Sequence, residues 1–292
     1  MQNLYDYRNK ITSQDGEDGI ISAMFEKLGV GTTGWCVEFG AWDGVKLSNT
    51  WDLWHNKGWS AVLIEGDTKK FTDLKVLVSE FPKVTPLEAF VDSQGENSLD
   101  RLLDRTSVPD DFELLSVDVD GWDYHIWKGL RDYRPKVVVI EYNATFPPHI
   151  DFVGAQDDSY FGASALALSK LAKEKEYTLV CCTRSNIFFV RDDIVQELGV
   201  VQPTVEEAFR HDHITYVVST QHGNPFLTRD LPFVRTSGFK GVLAQALPPQ
   251  VPASPELRTI VIVDLSWLRI VLPLLVPVAK LARMLWRLGH RR

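Results

Sequence analysis

Seven short apolar runs, separated by helical patterns and closing on a pair joined by three residues, restrict the fold more than any other feature of this 292-residue chain. The runs are 35–40 (WCVEFG), 60–65 (SAVLIE), 84–91, 113–118 (ELLSVD), 136–142 (KVVVIEY), 177–182 (YTLVCC) and 186–191 (NIFFVR). The early runs are nearly continuous rather than alternating, as expected of strands covered on both faces. Helical patterns fall at 18–28, 49–57, 69–81, 98–105, 123–130 and 164–175. Strands separated by helices pack as right-handed crossovers, which gives a largely parallel, doubly wound sheet. Only Thr183, Arg184 and Ser185 link the last two strands, so these must form an antiparallel hairpin. The expected fold is therefore α/β and Rossmann-like: a seven-stranded, mostly parallel sheet with a final antiparallel hairpin.

Charge divides the chain unevenly. The net charge is −8, yet residues 255–292 hold seven basic and two acidic side chains, a net of +5 that leaves −13 for the rest. An acidic body disfavours a nucleic-acid partner, which calls for a basic face. Four prolines within 246–255 read as an extended connection. The expected organisation is a main domain over 1–240, a Pro-rich linker over 241–258 and an apolar, basic tail over 259–292. In 278–288 (VAKLARMLWRL), Lys280, Arg283 and Arg287 share a helical face opposite Leu281, Leu285 and Leu288, with Trp286 between. That pattern suits peripheral contact with an anionic membrane, and docking on the body or a partner subunit is the other reading. Within 260–288 the longest charge-free stretch, 270–279, is half the ~20 residues needed to span a bilayer. Cys36, Cys181 and Cys182 sit in apolar runs as buried thiols, and the first ten residues lack a signal-type apolar run. The expected location is cytoplasmic, with the tail able to hold the chain at the inner membrane face.

The chemistry-bearing residues cluster at strand ends. The first strand runs into VEFGAWDG, where Glu38, Gly40 and Gly44 stand as E-x-G-x-x-x-G. Glycines at a strand-to-helix turn permit positive φ and close ligand approach. Ala41 and Trp42 break the dinucleotide fingerprint, and an acid ending strand 1 with glycine two residues later is the S-adenosylmethionine variant. In that variant the carboxylate either organises the loop or meets the amino-acid end of the cofactor. Strand 2 ends in Glu65, 25 residues after Gly40, at the offset where a carboxylate accepts both ribose hydroxyls. Asp67 beside it would equally serve as a helix cap. Asp92, past strand 3, is a weaker candidate for the adenine end.

Strands 4 and 5 lead into Asp118-Val119-Asp120 and Glu141-Tyr142-Asn143. Residues i and i+2 share a strand face, so Asp118 with Asp120 and Glu141 with Asn143 form two oxygen-bearing pairs. Crowded carboxylates need a proton or cation, and hard oxygen ligands suit Mg²⁺ or Mn²⁺. Asp118, Asp120, Glu141 and Asn143 are thus a candidate metal set. The alternative is that Asp118 meets the cofactor while Asp120 and Asp123 cap a helix. Methyl transfer to oxygen requires alignment of donor and acceptor and help in deprotonating the hydroxyl. Asp118, Asp120 and Asn143 are the candidate catalytic residues. His125 and His149 are possible bases, although a lone histidine near a helix start is ordinarily structural. Trp42, Trp51, Trp54, Trp59, Trp122 and Trp127 gather near the ligand loops, where core packing competes with stacking on a sugar.

Taken together, SQDGED (13–18), VEFGAWDGVKLSNT (37–50), LIEGD (63–67), LLSVDVDGWDYHIW (114–127), VVVIEYNATF (137–146) and the NIFFVR hairpin resemble the FkbM-type S-adenosylmethionine-dependent methyltransferases over residues 11–195. The resemblance implies a class I methyltransferase fold, S-adenosylmethionine as cofactor and O-methylation of sugars, glycans or polyketide-like molecules. It implies that Glu38, Gly40, Glu65 and Asp118 face the cofactor, and that Gln14 and Glu17 belong to an N-terminal flap over it. Relatives commonly carry D-V-E-G after strand 4, where this chain has D-V-D-G. A non-catalytic nucleoside-binding protein of the same fold is the alternative function.

Overall fold

The structure, a computed structural model, describes residues 3–119, 121–155, 162–211, 217–219 and 225–227. The chain divides into two units, Met1–Ile214 and Thr215–Arg292. In the second, β8 (Val217–Ser219) and β9 (Pro225–Leu227) form an antiparallel pair. The linker and tail expected over 241–292 lie outside the described residues.

The first unit carries seven strands: β1 (Trp35–Phe39), β2 (Ser60–Glu65), β3 (Val84–Glu88), β4 (Leu114–Val117), β5 (Val137–Glu141), β6 (Tyr177–Cys182) and β7 (Asn186–Arg191). They form one sheet in the order β3-β2-β1-β4-β5-β7-β6. All neighbours pair parallel except β5 with β7 and β7 with β6. This is the class I methyltransferase fold. The continuous apolar runs have the predicted cause: Val37, Val62, Leu63, Leu115, Val138 and Val139 are fully buried, because helices cover both faces of the central strands. β3 stops at Glu88, short of the expected 91. It is an edge strand holding Pro86, and a proline that cannot donate to a ladder is tolerated there.

The helices are α1 (Glu17–Lys27), α2 (Thr68–Val78), α3 (Leu99–Leu103), α4 (Asp123–Gly129), α5 (Ala165–Glu174) and α6 (Val205–Ala208). The pattern at 49–57 departs from expectation. The helix there runs only Asp52–Asn56 and is π-type, with the Lys57 N–H reaching the Asp52 carbonyl at 3.1 Å. Before it, the Asn49 N–H and the Thr50 hydroxyl bond the Glu38 carboxylate, and the Thr50 carbonyl accepts the Leu53 and Trp54 N–H groups at 3.0 and 3.3 Å. Among the described residues no helix is long and apolar enough to cross a membrane.

Candidate functional site

The parallel strands place the turns after β1, β2, β4 and β5 along one sheet edge, where ligands bind in doubly wound folds. β1 and β4 are in register up to Phe39 opposite Val117. The next residue, Gly40, turns at φ +76, and a Cβ there would lie 1.8 Å from the Asp118 carbonyl oxygen. The two strand ends therefore touch through backbone, and only glycine fits. Gly44 turns at φ +82 with its α-carbon packed towards Leu74 of α2.

Glu38 points into the protein, with only 4% of its surface exposed. Its carboxylate accepts from the Ser48 hydroxyl at 2.6 Å, the Thr50 hydroxyl at 2.7 Å and the Asn49 N–H at 2.8 Å. Asn49 in turn donates through Nδ2 to the Ser116 hydroxyl of β4 at 3.1 Å. Burial pushes the Glu38 pKa above its ordinary value, against the pull of those three donors. Of its two possible roles, this geometry is the loop-organising one. Glu65 does similar work between two turns: it accepts the Trp42 N–H and the Asp67 N–H, each at 2.7 Å. One contact per oxygen leaves each with lone-pair capacity at the tip of β2. Asp67 caps α2 by accepting the Lys69 and Lys70 N–H groups at 3.0 and 2.9 Å, and these bonds lower its pKa, that from Lys70 most. Around this corner, the exposed Trp42 indole lies under Lys46 and Lys70, whose ammonium groups are 3.8 and 3.9 Å from its ring centroid.

Past β3, Asp92 holds a turn: its N–H donates to the Asn97 carbonyl at 2.8 Å and its carboxylate accepts the Ser93 N–H at 2.6 Å. The sequence reading overlooked Phe90. It is 74% exposed, and its ring lies so close to Gly66 that a Cβ there would be 2.4 Å from it. An aromatic in a polar turn is the available signal, but sequence cannot say that it stays out of the core.

After β4, the half-buried Asp118 precedes a loop fixed by Asp123, whose carboxylate accepts the Val119 and Gly121 N–H groups, each at 3.0 Å. Asp120 lies outside the described residues. Glu141 ends β5 opposite Asn186. Asn143 closes its own turn, accepting the Thr145 N–H at 3.0 Å and the Thr145 hydroxyl. Among the described residues, no three His, Cys, Asp or Glu side chains come together in a way that could hold a metal ion. His149 is exposed, whereas the His125 Nε2 sits 2.8 Å from the Gly154 carbonyl oxygen. Of the tryptophans, Trp54, Trp59 and Trp127 are core residues, and Trp51 stacks on His55 at 4.1 Å.

The N-terminal segment lies along this edge. Buried Asp18 accepts the N–H groups of Ile11, Thr12 and Ser13 at 2.9, 3.2 and 2.9 Å, and the Thr12 hydroxyl donates to the Ser48 carbonyl at 3.0 Å. Glu17, fully buried, accepts from the Thr183 hydroxyl at 2.6 Å and from Asn186 Nδ2 at 3.2 Å. Residues 11–18 thus run from the loop after β1 to the β6–β7 turn, with Gln14 exposed between. Two consecutive acids at a helix start read as ordinary dipole partners, so their burial was not legible in the sequence. A cavity of about 240 Å³, lined by Tyr5, Cys181, Glu207 and Arg210 among others, lies beside β6.

No family model matches the chain, and no curated protein does. Solved structures do. The N-terminal domain of EvdMO1 with S-adenosylhomocysteine bound is 13% identical with a TM-score of 0.41, covering 61% of this chain and 80% of that one. A SAM-dependent methyltransferase from Aquifex aeolicus is 10% identical with a TM-score of 0.36, covering 58% and 87%. The CMeT domain of the citrinin polyketide synthase is 11% identical with a TM-score of 0.39 over 55% of this chain. The match spans less than half, 46%, of that last structure.

Proposed function

We propose that this chain is an S-adenosylmethionine-dependent O-methyltransferase acting on a hydroxyl of a sugar, glycan or glycolipid-like acceptor. The observation that carries the reading is Glu65, a carboxylate with spare acceptor capacity at the tip of β2, beside the glycine turn after β1. Its two oxygens suit a pair of vicinal ribose hydroxyls. Phe90, exposed against Gly66 one residue on, offers a flat apolar face for a purine. Gly40, with no side chain, lets the ends of β1 and β4 meet through backbone, which sets the turn after β1 beside Glu65. These residues fit the cofactor, and Asp92 stands in the turn just beyond Phe90.

When bound, S-adenosylmethionine supplies a methyl group on an electrophilic sulfonium. The chain's part is to hold donor and acceptor in line and keep water out. Glu38 and Asp18 contribute by fixing the loop after β1 and the segment crossing it, and Asp123 by fixing the turn after β4. Asp118 follows β4 with its carbonyl against Gly40 of the turn after β1. The described residues do not assemble a metal set, and no step here runs through Mg²⁺ or Mn²⁺. The acceptor class follows from the family resemblance of residues 11–195. Comparative mass spectrometry of glycans and lipids from cells with and without the gene tests it. Loss of one methyl increment from a sugar-containing species is expected, and identical profiles would count against the acceptor class.

A further inference from the structure

We propose that His125 is the general base that takes the proton from the acceptor hydroxyl, an assignment that rests on the methyl-transfer reading above. The argument begins with one hydrogen bond. His125 Nε2 lies 2.8 Å from the Gly154 carbonyl oxygen, and a carbonyl can only accept. Nε2 must therefore carry the proton, and in the neutral ring the lone pair is then on Nδ1. Among the described residues no other group hydrogen-bonds the imidazole, so none of them takes up the Nδ1 lone pair.

The position suits the role. His125 is the third residue of α4, directly after the loop that leaves the carboxyl end of β4, and it is half-buried. That carbonyl belongs to the β5–α5 connection, whose two described ends pair with each other. Val153 bridges Ala163, the Gly154 N–H donates to the Gly162 carbonyl at 2.8 Å, and the Ser164 N–H donates to the Phe152 carbonyl at 2.9 Å. The returning end of the connection meets the β4 turn in ordinary contact: a Cβ on Gly162 would sit 3.6 Å from the Gly121 α-carbon. The Gly154 bond thus holds the imidazole in place and fixes its tautomer, the orienting service that an activated base requires.

Chemistry separates His125 from its neighbours. Asn143 is engaged in its own turn and Asp123 in the β4 loop. A neutral imidazole is a stronger base towards an alcohol than a carboxylate, and it is the side chain that most often serves as a general base. In the step, the acceptor O–H bond breaks and its proton passes to Nδ1. The oxygen lone pair forms the new O–CH₃ bond while the S–CH₃ electron pair returns to sulfur, leaving neutral S-adenosylhomocysteine. The imidazolium then releases its proton to water.

Glutamine places an amide N–H where His125 has Nε2–H, so His125→Gln keeps the tether and removes the base. With tritiated S-adenosylmethionine and an extract of cells lacking the protein as acceptor, we expect His125→Gln to lower kcat at least ~100-fold. S-adenosylhomocysteine affinity and the melting temperature should stay unchanged, and added imidazole should restore transfer to His125→Ala. Independently of activity, NMR of the protein carrying nitrogen-labelled histidine should show the His125 ring in the Nε2–H tautomer. Wild-type kcat in His125→Gln, or an Nδ1–H tautomer, overturns the assignment. Failure of the wild-type protein to bind S-adenosylhomocysteine would instead overturn the methyl-transfer reading beneath it.

Discussion

Replacing Gly40 by alanine probes the contact on which the site is built. Two costs add. At φ +76 an L-residue pays about 1–2 kcal/mol for left-handed backbone. The new Cβ would also stand 1.8 Å from the Asp118 carbonyl oxygen, against an ordinary carbon–oxygen approach of about 3.3 Å. The ends of β1 and β4 must then part by roughly 1.5 Å, and overpacking of that kind costs about 1–3 kcal/mol more. Gly58 and Gly95 provide matched controls: they turn at φ +70 and +77, and a Cβ on either meets nothing within 4 Å. Alanine there should carry the backbone cost alone. At about 2–4 °C per kcal/mol for a domain of this size, Gly40→Ala should melt about 2–12 °C below either control in a thermal scan. Equal melting of all three variants would refute the close approach of β1 and β4.

Three further outcomes follow from buried groups and from the tail. Asp18→Ala removes the acceptor for three backbone N–H groups, Ser13's being fully buried, and should cost about 2–4 kcal/mol in a urea titration; an unchanged midpoint would show that water replaces the carboxylate. Glu38, with its folded pKa raised above 4.5, favours the folded state most when protonated, and that contribution is lost as pH rises through the folded pKa. The stability of wild type relative to Glu38→Gln should therefore decline as pH rises above about 4.5, and a difference that grows with pH in parallel melts would contradict the assignment. Full-length chain should float with vesicles containing anionic lipid, whereas chain ending at residue 258 should not; equal flotation of the two would rule out membrane contact through the tail.

The fold was legible because its strands are buried on both faces, which writes them into the sequence as unbroken apolar runs, and because three residues cannot connect parallel strands. The antiparallel pairing of β6 with β7 follows from that short link, whereas the place of β7 next to β5 is seen only in the folded sheet. Motif spacing also located Glu38, Gly40 and Glu65 at strand ends. It could not tell which carboxylates face inward. Glu38, Glu17 and Asp18 look like ordinary polar residues, yet each is buried because hydroxyl and N–H donors from distant segments converge on it, contacts that exist only after folding. The helix expected at 49–57 is shorter for the same reason: Glu38 holds the Asn49 N–H and the Thr50 hydroxyl, contacts from a distant strand. Phe90 has the composition of a core residue and none of the burial.

The central claim is that Glu65 at the tip of β2 holds the ribose of S-adenosylmethionine. Calorimetric titration with S-adenosylhomocysteine measures it most directly, in wild type and in Glu65→Gln. Hydrogen bonds to a charged acceptor contribute about 1.5–3 kcal/mol, so the variant should bind at least ~10-fold more weakly than a saturable wild type. Folded wild-type protein that gives no heat, or a variant that binds as tightly, would contradict the account.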